Sequence, residues 1–208
     1  MNTQLLFVES KNYEKNIKFF SQNLKKLLKG NNVNLRNKNI LDYGCGNCLL
    51  HKYLIFKKVF LYDLNHKYYK NNYLKKPLGF QNLQEIKEYK GSFDIILLNS
   101  VIQYIRPSHL KKNFKVLLKK LKKNGFIIIS DIPEKSRLGE ILSFKELFYN
   151  IKVILYFLTK PRYFKYNFFN YKKDYLKGLL YNKKFKFYFK SNLNFSKNRY
   201  TLIVKKTN

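Results

Sequence analysis

Apolar positions along this chain follow two periods, and their alternation predicts the architecture. Over residues 11–29, Tyr13, Ile17, Phe20, Leu24, Leu27 and Leu28 recur at helical spacing. Gly30-Asn31-Asn32 then supplies a helix stop. Downstream, short apolar runs alternate with helical stretches: strand 39–43, helix 48–57, strand 59–63, helix near 67–75, a weak strand near 78–83, strand 93–98, helix 108–123 and strand 126–131. A last helix near 171–182 precedes two extended segments, Phe185–Phe189 and Arg199–Val204, joined by a polar Asn/Ser-rich turn. Alternating strands and helices predict an α/β fold, with a parallel sheet and helices on both faces. Ligands in such sheets bind beyond the carboxyl ends of the strands. Asp42, Asp63, Asn99 and Asp131 all fall at predicted carboxyl ends.

Residues 40–48, Ile-Leu-Asp-Tyr-Gly-Cys-Gly-Asn-Cys, carry the main chemical signal. An apolar strand feeds Asp42, then a tight loop with Gly44 and Gly46, then Leu49, Leu50, Tyr53 and Leu54. A strand that turns through glycines into a helix start brings backbone N–H groups close to a ligand. The dinucleotide pattern G-x-G-x-x-G fails, because Leu49 stands at its third glycine. Val59–Asp63 reads as a second buried strand ending in a carboxylate, nineteen positions after Gly44. A carboxylate at that distance is placed to accept ribose hydroxyls. Cys45 and Cys48 also spell C-x-x-C at a helix start, which in a thioredoxin-like protein would be a redox pair. That alternative leaves Asp63 and the later strands unexplained. Two small residues lining a cofactor loop explain more. The three histidines, His51, His66 and His109, show no metal spacing, and no metal site is expected.

Asp42-x-Gly44-x-Gly46 resembles motif I of the class I S-adenosylmethionine-dependent methyltransferases, [DE]-x-G-x-G-x-G, with Cys48 in place of the last glycine. Phe93–Ser100 resembles the family's FD-hydrophobic motif IV, and Gly125–Asp131 the strand after its L-x-x-G-G turn. These features stand in family order over roughly residues 38–133. The resemblance implies a Rossmann-like methyltransferase fold: a doubly wound, mostly parallel seven-stranded sheet with an antiparallel C-terminal strand. It further implies S-adenosylmethionine as cofactor. The loop Gly44, Cys45, Gly46 and Cys48 would approach its methionine part, Asp42 would help orient its amino group, and Asp63 would take the ribose. Leu64 and Leu83 could flank the adenine, with Asn82 a further adenine candidate, and Asn99 falls on the same cofactor side. Residues 99–102, Asn-Ser-Val-Ile, lack the Pro-Pro-Tyr that resembles enzymes methylating exocyclic or amide nitrogens. Asp131 is the candidate base or acceptor-orienting group, with His109 second; a capping role is the plainer alternative for each.

Lys and Arg number 43 against 12 acidic residues, a formal charge of +31. Such a surface attracts nucleic acid, anionic lipid or acidic substrates. The chain is also crowded with Lys, Asn, Ile, Tyr and Phe, the residues of A/T-rich codons. Lys111, Lys112, Lys115, Lys119, Lys120, Lys122 and Lys123 surround one apolar stripe as a solvated helix face would. Composition therefore accounts for the charge more simply than a nucleic-acid footprint does. Two neighbouring cysteines and no leader pattern suit a cytoplasmic protein. No run of 18 apolar residues suits a membrane span, although peripheral contact stays open.

One domain is expected over residues 1–208: a helical segment 1–37, a cofactor core 38–133, an insertion 134–169, and the final helix and strands over 170–208. Within the insertion, Leu142 to Leu158 form an apolar helical stretch ended by Pro161. A substrate cap is the first reading, a plain core helix the second and an interfacial helix the third. The function expected is methyl transfer to a small molecule, with a weak likeness in Ser130–Pro133 to enzymes of sugar or surface-polysaccharide pathways. An RNA methyltransferase is the alternative, and a non-catalytic binding protein of the same fold the second.

Overall fold

Ile40, Leu41, Leu61, Ile96, Leu97 and Leu98 are wholly buried. Strands covered on both faces require such continuous apolar runs. In the computed structural model, which describes residues 11–64, 78–134, 169–180, 183–194 and 199–207, these runs lie at the centre of one seven-stranded sheet. Its strands are β1 Asn39–Tyr43, β2 Lys58–Tyr62, β3 Leu78–Phe80, β4 Phe93–Asn99, β5 Leu121–Pro133, β6 Phe185–Ser191 and β7 Arg199–Lys206. They run in the order β3-β2-β1-β4-β5-β7-β6. The first five are parallel; β7 is antiparallel to both β5 and β6. The two extended tail segments form this closing pair, and its antiparallel pairing is what the family resemblance implies.

Two layers of helix cover the sheet. On one face Ile17, Phe20, Leu24 and Leu28 of α1 (Lys11–Lys29) pack with Ile40, Ile95, Leu97, Phe126 and Ile128. On the other, Ile86 of α2 (Leu83–Glu88), Leu110, Phe114 and Leu117 of α3 (Pro107–Lys120), and Leu176 and Leu180 of α4 (Lys173–Leu180) pack with Leu41, Ile96, Leu98, Ile127 and Ile129. The switch from Ile95 and Leu97 to Ile96 and Leu98 is the two-residue period of a strand. Each such side chain contributes about 1.5–3 kcal/mol on burial, so α1 is held by its apolar stripe and not by its lysines.

Three sequence expectations need correction. The helix expected over 48–57 is a single 3-10 turn, Leu49–Lys52. Cys48 has φ 60°, Asn47 Oδ1 accepts the Leu49 N–H at 3.1 Å, and the chain then crosses directly to β2, where the Lys57 N–H reaches the Lys38 carbonyl at 3.0 Å. The strand near 78–83 stops at Phe80, and Leu83 opens α2. Asn82 is its N-cap, with Oδ1 accepting the Glu85 N–H at 2.9 Å. The helix over 108–123 ends at Lys120, because Leu121 already pairs with Phe93 as the start of β5. The helix expected near 67–75 and residues 135–168 of the insertion lie outside the described residues. Among the described residues no helix is long and apolar enough to cross a membrane.

Asp94, the second residue of the FD motif, is a structural clamp at the amino end of β4. It accepts the Asn39 N–H at 2.9 Å and pairs with Lys122 at 3.0 Å and Lys38 at 3.8 Å. Burial pushes its carboxyl up, but the Asn39 N–H and Lys122 outweigh this and hold it below its ordinary 3.8. A depressed carboxyl stabilises the fold fully above that ordinary value and loses its contribution as pH falls through the folded value. Asp94→Asn should therefore lower the thermal midpoint near neutral pH and flatten its decline in acid. Melting curves from about pH 7 to about pH 3 check this; an unchanged acid slope would contradict the clamp.

Candidate active site

The carboxyl ends of β1, β2, β4 and β5 bring the sequence-predicted acids to one edge of the sheet. Asp42 is the penultimate residue of β1, Asp63 follows β2 directly, Asn99 ends β4 and Asp131 lies two residues before the end of β5. Between β1 and the 3-10 turn, Gly44, Gly46 and Cys48 all take positive φ, at 83°, 53° and 60°. Glycine reaches this left-handed region freely, whereas a residue with a Cβ is disfavoured there by roughly 1–2 kcal/mol. Cys48, at the family's third glycine, carries that strain and is itself buried, packed with Cys45 and Leu61.

The loop is tied down from two sides. The Gly44 and Cys45 N–H groups donate to the Tyr62 carbonyl at 2.6 and 3.2 Å. The Gly46 N–H donates to Asp63 Oδ2 at 3.0 Å. Val101, just past motif IV, closes against Gly44: a Cβ added there would lie 2.3 Å from Val101 Cγ2. Among the described residues, a Cβ at Gly46 would meet only the Tyr13 hydroxyl, at 3.7 Å. Tyr13 and the two carboxylates Asp42 and Asp63 thus lie close to this loop. Burial raises the Tyr13 phenol, and the charges of Asp42 and Asp63 add to it. Tyr13 stays a neutral donor beside these carboxylates. The sequence shows it only as one member of an apolar stripe.

Cys45 and Cys48 are free and buried. A hydrogen bond between their side chains, together with burial, pushes the Cys45 thiol up. A redox pair needs the opposite shift, a lowered first thiol.

Asp42 is nearly enclosed, and its Oδ2 lies 2.8 Å from His51 Nε2. A carboxylate only accepts, so Nε2 carries the hydrogen. His51 shows no functional signal in the sequence, because its partner lies nine positions back. A kinked 3-10 turn, and not an α-helix, brings the two together.

A second polar group sits one and two strands away. Ser100 (φ 57°) and Asp131 (φ 64°) are both left-handed. Ser100 Oγ donates to Asp131 Oδ2 at 2.6 Å, Arg199 pairs with the same oxygen at 2.9 Å, and Asn192 Nδ2 donates to Oδ1 at 3.1 Å. Asn99 Oδ1 accepts from Asn194 at 3.0 Å. The remaining candidates are less engaged. Leu64 is 85 % exposed, Leu83 is half-buried against the core, Asn82 is exposed at its cap, and His109 is exposed in the first turn of α3.

This combination of switch-point loop, ribose-distance carboxylate and seven-stranded sheet defines a class I methyltransferase. The profile of the methyltransferase domain family matches residues 10–172, and the chain belongs to that family of S-adenosylmethionine-dependent enzymes. No curated protein sequence matches it. Among solved structures it resembles an S-adenosylmethionine-dependent methyltransferase from Clostridium acetobutylicum at 18 % identity and TM-score 0.70, covering 98 % of this chain and 97 % of that one. Magnesium protoporphyrin IX methyltransferase from Synechocystis, with bound S-adenosylhomocysteine, matches at 15 % identity and TM-score 0.60, over 91 % and 83 % of the two chains. The N-methyltransferase NodS from Bradyrhizobium japonicum matches at 11 % and 0.58, over 91 % and 94 %. At these identities the likeness concerns the fold alone. The described residues fit such a cofactor: the loop carries glycine at 44 and 46, and the carboxylates Asp42 and Asp63 beside it have the charge and acceptors that an ammonium and a diol would need.

Proposed function

We propose that this methyltransferase acts on a polar small molecule in a reducing, cytoplasmic setting. The observation that supports this most is the built polar cluster around Asp131, directly beside the wall formed by Val101 and Gly44. S-adenosylmethionine, when bound, supplies a methyl group activated on a sulfonium. The work left to the chain is to hold that group and line up an acceptor lone pair behind it. The loop Gly44–Cys48 and Asp42 receive the amino-acid part, and Asp63 the ribose. Ser100, Arg199 and Asn192 fix both oxygens of Asp131, which suits an orienting group better than a freely moving base. His109 is the second candidate, from the exposed start of α3.

RNA is the second reading. It is favoured by Lys186 and Lys205, opposed across β6 and β7 beside the exposed Tyr188. Like charges directly opposite on a sheet repel, and a phosphate would relieve them.

The test supplies methyl-labelled cofactor with fractionated small metabolites and, separately, with total RNA. The expected result is S-adenosylhomocysteine release and label in a small-molecule fraction. In the same assay Asp131→Asn should lower turnover with S-adenosylhomocysteine affinity unchanged. Label in RNA, with binding that weakens steeply with salt, would replace the small-molecule reading.

A further inference from the structure

His51 is an expensive residue where it stands. Its side chain has no exposure, Nε2 is spent on Asp42, and Nδ1 is buried with no hydrogen-bond partner among the described residues. Its surroundings are apolar: Phe56 meets the ring edge-on at 6.0 Å, and Leu49, Leu50 and Leu54 are buried around the same turn. A buried unpaired acceptor costs about 1–3 kcal/mol, and a buried polar pair is often no more stable than apolar residues of equal volume. For the fold alone, a leucine or phenylalanine here and an uncharged residue at 42 would serve at least as well. Among the described residues the imidazole has one polar partner, the carboxylate of Asp42.

That engagement is one-sided. Asp42 Oδ2 is held at 2.8 Å by a donor from the 3-10 turn, while Oδ1 carries no hydrogen bond among the described residues. The side chain keeps 5 % exposure, so the pair is closed on its His51 side but not sealed. Tyr13, whose phenol feels the Asp42 charge, also stands 3.7 Å from where a Cβ on Gly46 of the glycine loop would lie. A carboxylate oxygen left open in this way can accept from a cationic or N–H-bearing group.

We propose that His51 is a positioning residue: it grips one oxygen of Asp42 so that the other is aimed at the α-ammonium group of the cofactor. This rests on the cofactor reading above and adds to it a residue that lies under the loop and not in it. The imidazole acts only through Asp42. Its effect is therefore confined to ligands that possess the amino-acid part.

The experiment is calorimetric titration of the full chain with two ligands, S-adenosylhomocysteine and 5′-methylthioadenosine; the second keeps the adenosine and thioether but lacks the ammonium. Wild type, Asp42→Asn, His51→Leu and His51→Gln are compared. His51→Leu should weaken S-adenosylhomocysteine about tenfold or more, the worth of one charge-assisted hydrogen bond, and leave methylthioadenosine within about twofold. His51→Gln, whose amide can donate to Asp42, should recover most of the loss. In the Asp42→Asn background His51→Leu should add nothing further.

Equal weakening of both ligands by His51→Leu would mean a merely structural role and would overturn the inference. So would full S-adenosylhomocysteine affinity in His51→Leu while Asp42→Asn is impaired. If His51→Leu does not fold, His51→Gln against Asp42→Asn decides: a glutamine variant as weak as Asp42→Asn for S-adenosylhomocysteine alone defeats positioning by donation. If Asp42→Asn binds both ligands normally, the assignment of Asp42 falls and the inference with it. If wild type binds neither, the cofactor site itself is misplaced.

Discussion

Gly44→Ala is expected to destabilise this protein by about 2–5 kcal/mol, which combines a left-handed backbone penalty with overpacking. Gly44 has φ 83°, and the added Cβ would lie 2.3 Å and 2.9 Å from the two γ-carbons of Val101. Neither neighbour can yield cheaply. The Gly44 N–H is held to Tyr62 at 2.6 Å, and Val101 lies between Ser100, anchored on β5 through the Ser130 carbonyl, and the buried Ile102. For a domain of this size the thermal midpoint should fall roughly 5–15 °C. The two contributions separate experimentally. Val101→Ala in the Gly44→Ala background removes the clash but not the backbone strain, so the double variant should regain part of the loss and the cycle should be non-additive. A Gly44→Ala protein that melts with wild type would mean that Val101 is not the wall of this loop. The same substitution should abolish cofactor binding in whatever fraction stays folded, because the loop cannot keep its path with Val101 displaced.

The strands were legible because their physics is local. Val59–Tyr62, Ile95–Leu98 and Phe126–Ile129 are near-continuous apolar runs, and only a strand covered on both faces uses such runs at that length. The positions of Asp63 and Asn99 followed from knowing where those strands stop. What failed was the stretch after the glycines. Leu49, Leu50, Tyr53 and Leu54 have helical spacing, but one 3-10 turn satisfies it as well as an α-helix does, and Lys57 must already be paired with Lys38. The short α2 announced itself through Asn82 and Glu85, a cap signal three residues apart, which the weak apolar pattern over 78–83 obscured. Tyr13 and His51 had no signal of their own. One is a stripe residue on a basic helix, and the other meets Asp42 from a 3-10 turn that opens at the left-handed Cys48.

Asp63→Ala is the substitution with the largest expected effect on the cofactor, because it removes two interactions at once. Asp63 Oδ2 holds the Gly46 N–H at 3.0 Å, so the carboxylate orders the loop before any ligand arrives. In the proposed cofactor reading the same carboxylate, by its place after β2, receives the ribose diol. A hydrogen bond to a charged group contributes about 1.5–3 kcal/mol, so S-adenosylhomocysteine affinity should fall roughly 100-fold or more. Asp63→Asn divides the effect: an amide oxygen can still accept from Gly46, whereas only a carboxylate offers acceptors to both hydroxyls. Its loss should be intermediate, with a melting temperature close to wild type. The ribose part of the argument has its own control in a 2′-deoxy form of methylthioadenosine. Wild type should discriminate against it about tenfold, and Asp63→Ala should not discriminate at all, because the partner of the missing hydroxyl has gone. Discrimination that persists in Asp63→Ala would place the ribose elsewhere and leave Asp63 as a loop anchor alone. Undiminished S-adenosylhomocysteine binding in that variant would remove even the anchor, since a loop that binds equally well without its tether never needed one.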